Sequence, residues 1–281
     1  MKSFLYKIVV FITVPLVLFT LVYVFNLQKR IGYIQNISVN NDVIIMGDSQ
    51  MQRINPDNFN AKTFNFSSIG ETYNITFYKL NKILSEKENN IKTLILGASI
   101  HSFSFDYEKR YDHKTPQGKF IFEKNLYYMP LFNDPVFPFK NKLVEKLFYF
   151  SIFKEPKNSG YGESSNKNPT KDIIDIVLKI HYGENPNIDV LNQEKYLQKI
   201  IDLCKKRKVK VIIVSTPYHN YYKKNIPNYN INKFDKIIKD YNNITFLNYI
   251  NDETPDYLFS DGNHLNKEGG NRYAKKIAKN L

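Results

Sequence analysis

Thiol chemistry is nearly absent from the chain: Cys204 is the single cysteine among 281 residues. No disulfide can form within the molecule, and a cysteine-rich zinc site is excluded. Alanine is missing ahead of Ala61, so a signal-peptide cleavage site of the Ala-x-Ala kind is not available near the N-terminus. Charge is missing from Ile8 to Phe25, "IVVFITVPLVLFTLVYVF". A helix of that length, at roughly 1.5 Å per residue, nearly matches the hydrocarbon core of a bilayer. A membrane span over residues 8–25 is therefore expected, with Pro15 as a candidate kink. A cleaved signal peptide is the alternative, and the absent cleavage site favours a retained anchor. Lys2 and Lys7 precede the run and Lys29 and Arg30 follow it, so the positive-inside count is nearly balanced. The short N-terminal stub favours an inside N-terminus with everything after the span outside the cytoplasm. A phosphate-cradling glycine loop is also missing, because Gly47 stands alone.

The remaining length suits one domain with a sizeable core. Residues 1–30 read as the anchor and 31–281 as that domain. The formal charge of +13 fits an acidic partner such as an anionic glycan, a membrane surface or a nucleic acid. A general abundance of lysine and asparagine, as in "EKENNIK" and "KFDKIIKDYNNI", accounts for it more simply. No RNA-binding motif or aromatic-basic platform is present, so nucleic acid is not expected as a partner.

Short apolar runs alternate with helical patterns. Val43–Met46, Thr63–Phe66, Thr93–Leu96, Val209–Val214 and Ile244–Leu247 are each too short for a helix and bounded by turn residues. Between and after them, helices are expected over Tyr73–Leu84, Glu194–Cys204 and Lys267–Ala278, where apolar residues recur at three-to-four spacing. Such alternation implies an α/β domain with a mostly parallel five-stranded sheet covered on both faces. The segment from about 102 to 170 breaks the pattern with aromatic residues, proline and glycine. It reads as an insertion, either a lid or acceptor-binding surface over the site or a satellite packing element, ending in a flexible stretch near Pro156–Pro169.

Sites in parallel sheets form at the carboxyl ends of the strands. Gly47-Asp48-Ser49, Ser67-Ser68-Ile69-Gly70, Gly97-Ala98-Ser99 and Ser215-Thr216-Pro217 all fall there. A serine hydroxyl becomes a nucleophile when a base takes its proton and a third group orients that base. Of the five histidines, only His264 has an acid at a suggestive spacing, Asp261, three residues upstream. Asp48 and Asn65 read as structural residues of the turns, and no metal-ligand cluster accompanies Asp48. His113 and His181 have no partner in sequence and read as surface residues.

Gly47-Asp48-Ser49 after the first strand, Gly70 after the second, Gly97 after the third and Asp261-x-x-His264 near the C-terminus resemble the ordered blocks of the SGNH or GDSL superfamily of serine esterases and acyltransferases. The resemblance implies a flavodoxin-like three-layer α/β/α fold, Ser49 as nucleophile, His264 as general base and Asp261 as its orienter, with no cofactor and no metal. It also implies an oxyanion hole from the Ser49 and Gly70 amides and a donor after strand three. There the family's Gly-x-Asn reads Gly97-Ala98-Ser99, leaving the Ser99 hydroxyl or His101 as substitutes, or both as plain turn residues. An N-terminal anchor before such a domain further resembles membrane-anchored proteins that acylate bacterial surface polymers, the polysaccharide O-acetyltransferases and the D-alanyl transfer protein of teichoic acid. The expected partners are then an acyl donor, a surface glycan acceptor and a multi-spanning membrane acyltransferase. Tyr218, His219 and Tyr222, in "STPYHNYY", are candidates for binding that acceptor, or a partly buried turn. An esterase with the same triad, or a silent SGNH-like partner of the export machinery, are the competing expectations.

Overall fold

The computed structural model describes residues 2–112, 114–125, 127–128, 160–164, 168–183 and 191–281. Strands β1 (Val43–Met46), β2 (Thr63–Asn65), β3 (Thr93–Gly97), β4 (Lys210–Ser215) and β5 (Thr245–Asn248) form one sheet in the order β2-β1-β3-β4-β5. Every pairing is parallel, with Val43 opposite both Thr63 and Thr93, Thr93 opposite Lys210 and Ile212 opposite Thr245. This is the flavodoxin-like order, in which the chain reverses direction across the sheet next to β1 and leaves a crevice at the carboxyl ends.

The strands end in polar turns because their side chains are consumed on both faces. Ile44, Met46, Leu94, Leu96 and Ile213 point into one apolar layer, and Val43, Ile45, Ile95, Ile212 and Val214 into the other. Helices α1 (Lys2–Asn40), α2 (Tyr73–Leu84) and α6 (Leu191–Arg207) contribute to the first layer, and α9 (Lys267–Ala278) to the second. Cys204 is buried in α6, and burial pushes its thiol up to about 12. It is a small core residue rather than a reactive one.

The apolar N-terminal run is longer as a helix than as a hydrophobic pattern. α1 continues unbroken past Pro15 and past residue 30 to Asn40, so the anchor and the first domain helix are one element. Its membrane-like half is exposed, whereas Ile34 and Ile37 enter the core against α2. Among the described residues one helix, with its candidate span within Tyr6–Asn40, is long and apolar enough to cross a membrane.

Within the irregular region, the described residues form a 3-10 turn at Ile100–Phe103 and two short helices, α3 (Phe105–Lys109) and α4 (Pro116–Asn125). Helix α5 (Lys171–Tyr182) follows, then α6, and α7 (Asn220–Lys224) and α8 (Asn228–Lys239) lie between β4 and β5. Part of the stretch expected to be flexible is tied down: the Gly160 amide donates to Asn65 O, Arg53 Nη1 to Gly162 O and the Lys267 amide to Ser164 O. Residues 156–159 and 165–167 of that stretch, residues 129–155 of the expected insertion, and His113 lie outside the described residues.

Candidate active site

The turn after β1 is built around a residue that tolerates its backbone angle. Gly47 has φ of +141°, and a Cβ there would lie 2.9 Å from Met51 Cγ and 3.3 Å from the Gly97 backbone. The turn can therefore press against the end of β3 only with glycine at this position. Asp48, buried beside it, accepts at Oδ1 from the Gln50 amide (3.0 Å) and at Oδ2 from Tyr107 Oη (2.6 Å) and His101 Nε2 (2.9 Å). Burial alone would raise the Asp48 carboxyl. His101, by charge and hydrogen bond, then Tyr107 and the Gln50 amide outweigh it and hold Asp48 below the ordinary carboxylate range.

Ser49 remains half-buried at the rim, and its Oγ lies 2.7 Å from His264 Nε2. On the other side of the ring, His264 Nδ1 donates to Asp261 Oδ2 at 2.8 Å and Oδ1 at 3.0 Å. Asp261 also accepts from the amides of Asn263 and His264, each at 2.9 Å. Burial pushes the Asp261 carboxyl up, but its bonds with His264 and these two amides bring it below its usual value. A fixed carboxylate thus sets the imidazole tautomer that leaves Nε2 free to accept the Ser49 proton. The loop carrying both residues is held to the nucleophile turn by Gln50 Nε2, which donates to Asn263 O at 2.9 Å.

The expected oxyanion donors separate into two groups. The amides of Ser49 and Gly70 make no hydrogen bond to an acceptor among the described residues. Gly70 adopts φ of +67°, and its loop is joined to the nucleophile turn by the Ser68 amide donating to Gly47 O at 3.1 Å. Ser99 and His101 turn inward instead. Ser99 Oγ donates to Gln50 Oε1 (2.5 Å), and His101 is buried between Asp48 and Tyr218, whose hydroxyl lies 3.2 Å from Nδ1. A residue from the irregular region, without any motif to mark it, approaches the Gly70 turn. Arg110 Nη1 lies 3.0 Å from where a Cβ of Gly70 would be. Its guanidinium stacks on Tyr107 at 3.8 Å and Nη2 donates to Asp106, while Nε is sealed without a partner. Nη1 is the guanidinium nitrogen turned toward Gly70.

The residues expected to bind an acceptor are differently disposed. Tyr218 is 2% exposed and Tyr222 0%, so neither offers a ring face to a sugar. They close the apolar layer beneath α5, with the Tyr222 hydroxyl 2.6 Å from His181 Nδ1. His219 is also committed: Nδ1 caps α7 by accepting from the Tyr221 amide, and Nε2 faces Asp256 at 3.1 Å. His181 is not a surface residue. It is buried, with its ring stacked on His101 at 4.7 Å. Burial, then the neighbouring His101, Arg110 and His264, push its pKa well below 6.5 and keep it neutral. Asn65 is structural in a specific way, its Nδ2 donating to Met51 O and Ile54 O, both at 2.8 Å. Among the described residues no group of three or more His, Cys, Asp or Glu could hold a metal ion.

Residues 170–281 match the model of a family described as DltD protein. The C-terminal part of the chain is DltD-like. That match spans less than half of the sequence, contains Asp261 and His264, and does not reach Ser49. A solved structure provisionally described as a platelet activating factor from Streptococcus pneumonia aligns over 90% of this chain and 91% of its own, at 11% identity and a TM-score of 0.45. Likeness that distant carries no functional weight. No curated protein matches the sequence.

Proposed function

We propose that the protein is a membrane-anchored, extracytoplasmic serine acyltransferase of the SGNH type that modifies hydroxyls of a cell-surface polymer. The observation that carries this reading is the continuous chain Ser49–His264–Asp261 at the carboxyl rim, beside two unbonded amides. Ser49 Oγ attacks the acyl carbonyl while its proton passes to His264 Nε2. The tetrahedral intermediate collapses, the leaving group takes that proton, and an acyl-Ser49 ester remains. An acceptor hydroxyl then gives its proton to His264 and takes the acyl group, restoring Ser49.

The amides of Ser49 and Gly70 are read as two donors to the developing oxyanion, and Arg110 Nη1 as the third, in place of the family's asparagine. The DltD match supports D-alanyl over acetyl as the transferred group. It also supports a multi-spanning membrane acyltransferase as the source of that group. The described part of the irregular region, α3 and α4 beside the Gly70 turn, is the best candidate for the acceptor surface now that Tyr218 and Tyr222 are accounted for as core.

Exposure to an activated acyl ester followed by intact-mass measurement tests the reading. An acyl adduct on Ser49 that water discharges slowly and a polyol acceptor discharges quickly is expected of a transferase; equal discharge by water would make the protein an esterase.

A further inference from the structure

The direction in which α1 enters the domain fixes which end of the sheet lies nearest the membrane. At its C-terminal end, Ser38 Oγ bonds Ile83 O and Asn89 Oδ1, and Asn90 Nδ2 bonds Val39 O. Asn89 and Asn90 lead into the amino end of β3, so this end of α1 sits at the amino ends of the strands. Reading backwards, Tyr33 packs edge-on against Phe64 and against Phe66, just past the carboxyl end of β2. Arg30 then lies over the ring of Tyr127, 5.1 Å away, beyond the end of α4. The helix thus climbs antiparallel to β1 from the amino ends toward the carboxyl ends, and its apolar run begins at Phe25. Phe25 stands five positions before Arg30, about 7.5 Å of helix. The catalytic end of the sheet therefore lies next to the apolar run, not away from it.

A second observation concerns the exposed apolar residues of the domain. Ile69 (59% exposed), Phe120 (57%) and Ile176 (61%), with Ile173 and Ile180, stand open to solvent. All are at this same end. Ile69 adjoins Gly70, and α4, which carries Phe120, touches Gly70 through Ile121. Helix α5, which carries the three other isoleucines, packs on the rim through Ile174 at Gly262 and His181 at His101. Ile173, Ile176 and Ile180 recur at three- and four-residue spacing, as on one helix face. Lys109 and Lys179 line the same hollow as Ile176 and Ile180, together with Asp106, and Lys119 directly precedes Phe120, a basic surround like that of interfacial helices that rest on anionic lipid.

We propose that this face, centred on Phe120 and Ile176, is seated on the surface of the bilayer that α1 crosses, so that Ser49 opens toward lipid. The proposal rests on the reading of α1 as a retained membrane span. Its consequence is that the acyl donor is delivered from the plane of the membrane. A freely diffusing donor would have to enter between the domain and the lipid surface.

Absence of tryptophan from the sequence makes the test clean, because each introduced indole is the sole such fluorophore. The full chain is reconstituted in vesicles of phosphatidylcholine and phosphatidylglycerol, with or without lipids brominated along the acyl chain. Four variants are compared: Phe11→Trp in the span, Phe120→Trp and Ile176→Trp on the rim, and Glu88→Trp at the opposite end. Phe120 and Ile176 are exposed, so these replacements open no core cavity. Emission of Phe11→Trp should be strongly quenched, that of the two rim variants should fall roughly twofold as expected for an interfacial face, and that of Glu88→Trp should not change. Rim variants quenched no more than Glu88→Trp, with Phe11→Trp quenched, would overturn the proposal while leaving the span intact. Rim indoles shielded from both brominated lipid and aqueous acrylamide would overturn it in favour of cover by protein. An unquenched Phe11→Trp would remove the span, and the proposal with it.

Discussion

A serine after the first strand and an acid-x-x-histidine pair ahead of the last helix can be singled out in a sequence as a candidate triad, and Ser49, Asp261 and His264 lie in hydrogen-bond contact in the structure. Their spacing says nothing, however, about what lies beneath them. Asp48 reads as a turn residue, yet its second oxygen is held by His101 and Tyr107, residues more than fifty positions away. Arg110 had no signal at all, since a lone arginine on an irregular insertion is ordinarily a solvated charge. The structure puts its Nη1 against Gly70. Replacing Arg110 with Gln is expected to lower kcat for acylation on the order of 100-fold with little change in KM, as for loss of one oxyanion donor; Arg110→Lys should recover part of it. An effect confined to KM would make Arg110 a ligand for a standing anion on the substrate instead. His181 gives a stability prediction. Its folded pKa is depressed, so below about pH 6.5 the unfolded chain binds a proton that the folded chain refuses. Stability is complete above that pH and is lost as pH falls. The thermal midpoint should drop between about pH 7.5 and 5.5, and the slope should flatten in His181→Asn.

At the scale of elements, legibility followed periodicity. Helices Tyr73–Leu84 and Lys267–Ala278 have the same bounds in the structure as in the pattern, and β1 likewise, because each pairs a strong apolar period with a clear stop. The pattern misled where burial rather than period governs. The tyrosines after β4 look like a polar, aromatic loop. They pack inward because α5 needs a surface to rest on, and hydroxyl pairs such as Tyr222 with His181 satisfy them there. Helix α1 was underestimated for a related reason: beyond Arg30 its sequence turns polar, yet Ile34 and Ile37 suffice to dock it on α2. Leu94, central in β3 and fully buried, should cost about 2–5 kcal/mol when cut to Ala, read from chemical denaturation. Gly47→Ala tests the turn differently. It should destabilise and also abolish acylation, since Met51 and the end of β3 must move for the methyl to fit.

For the whole molecule, the flavodoxin-like order came only with the family resemblance, whereas the mostly parallel sheet and the apolar N-terminal helix were readable from alternation and from one uncharged run. Orientation was not. The near-balanced flanking charges gave little direction, and nothing in a linear pattern tells which end of a sheet a helix approaches. That information lies in contacts such as Tyr33 with Phe66 and Ser38 with Ile83. They bring the apolar helix toward the rim that carries the candidate triad, the arrangement that the proposed transfer from a membrane-delivered donor calls for. The central claim remains the acyl-serine intermediate. Its most direct test is intact-mass measurement of the full chain in detergent after exposure to an activated acetyl or D-alanyl ester, beside Ser49→Ala. A single acyl adduct on Ser49, absent from a folded Ser49→Ala, is the predicted result. An unmodified wild-type chain with intact secondary structure, or an adduct that persists in Ser49→Ala, would contradict the account.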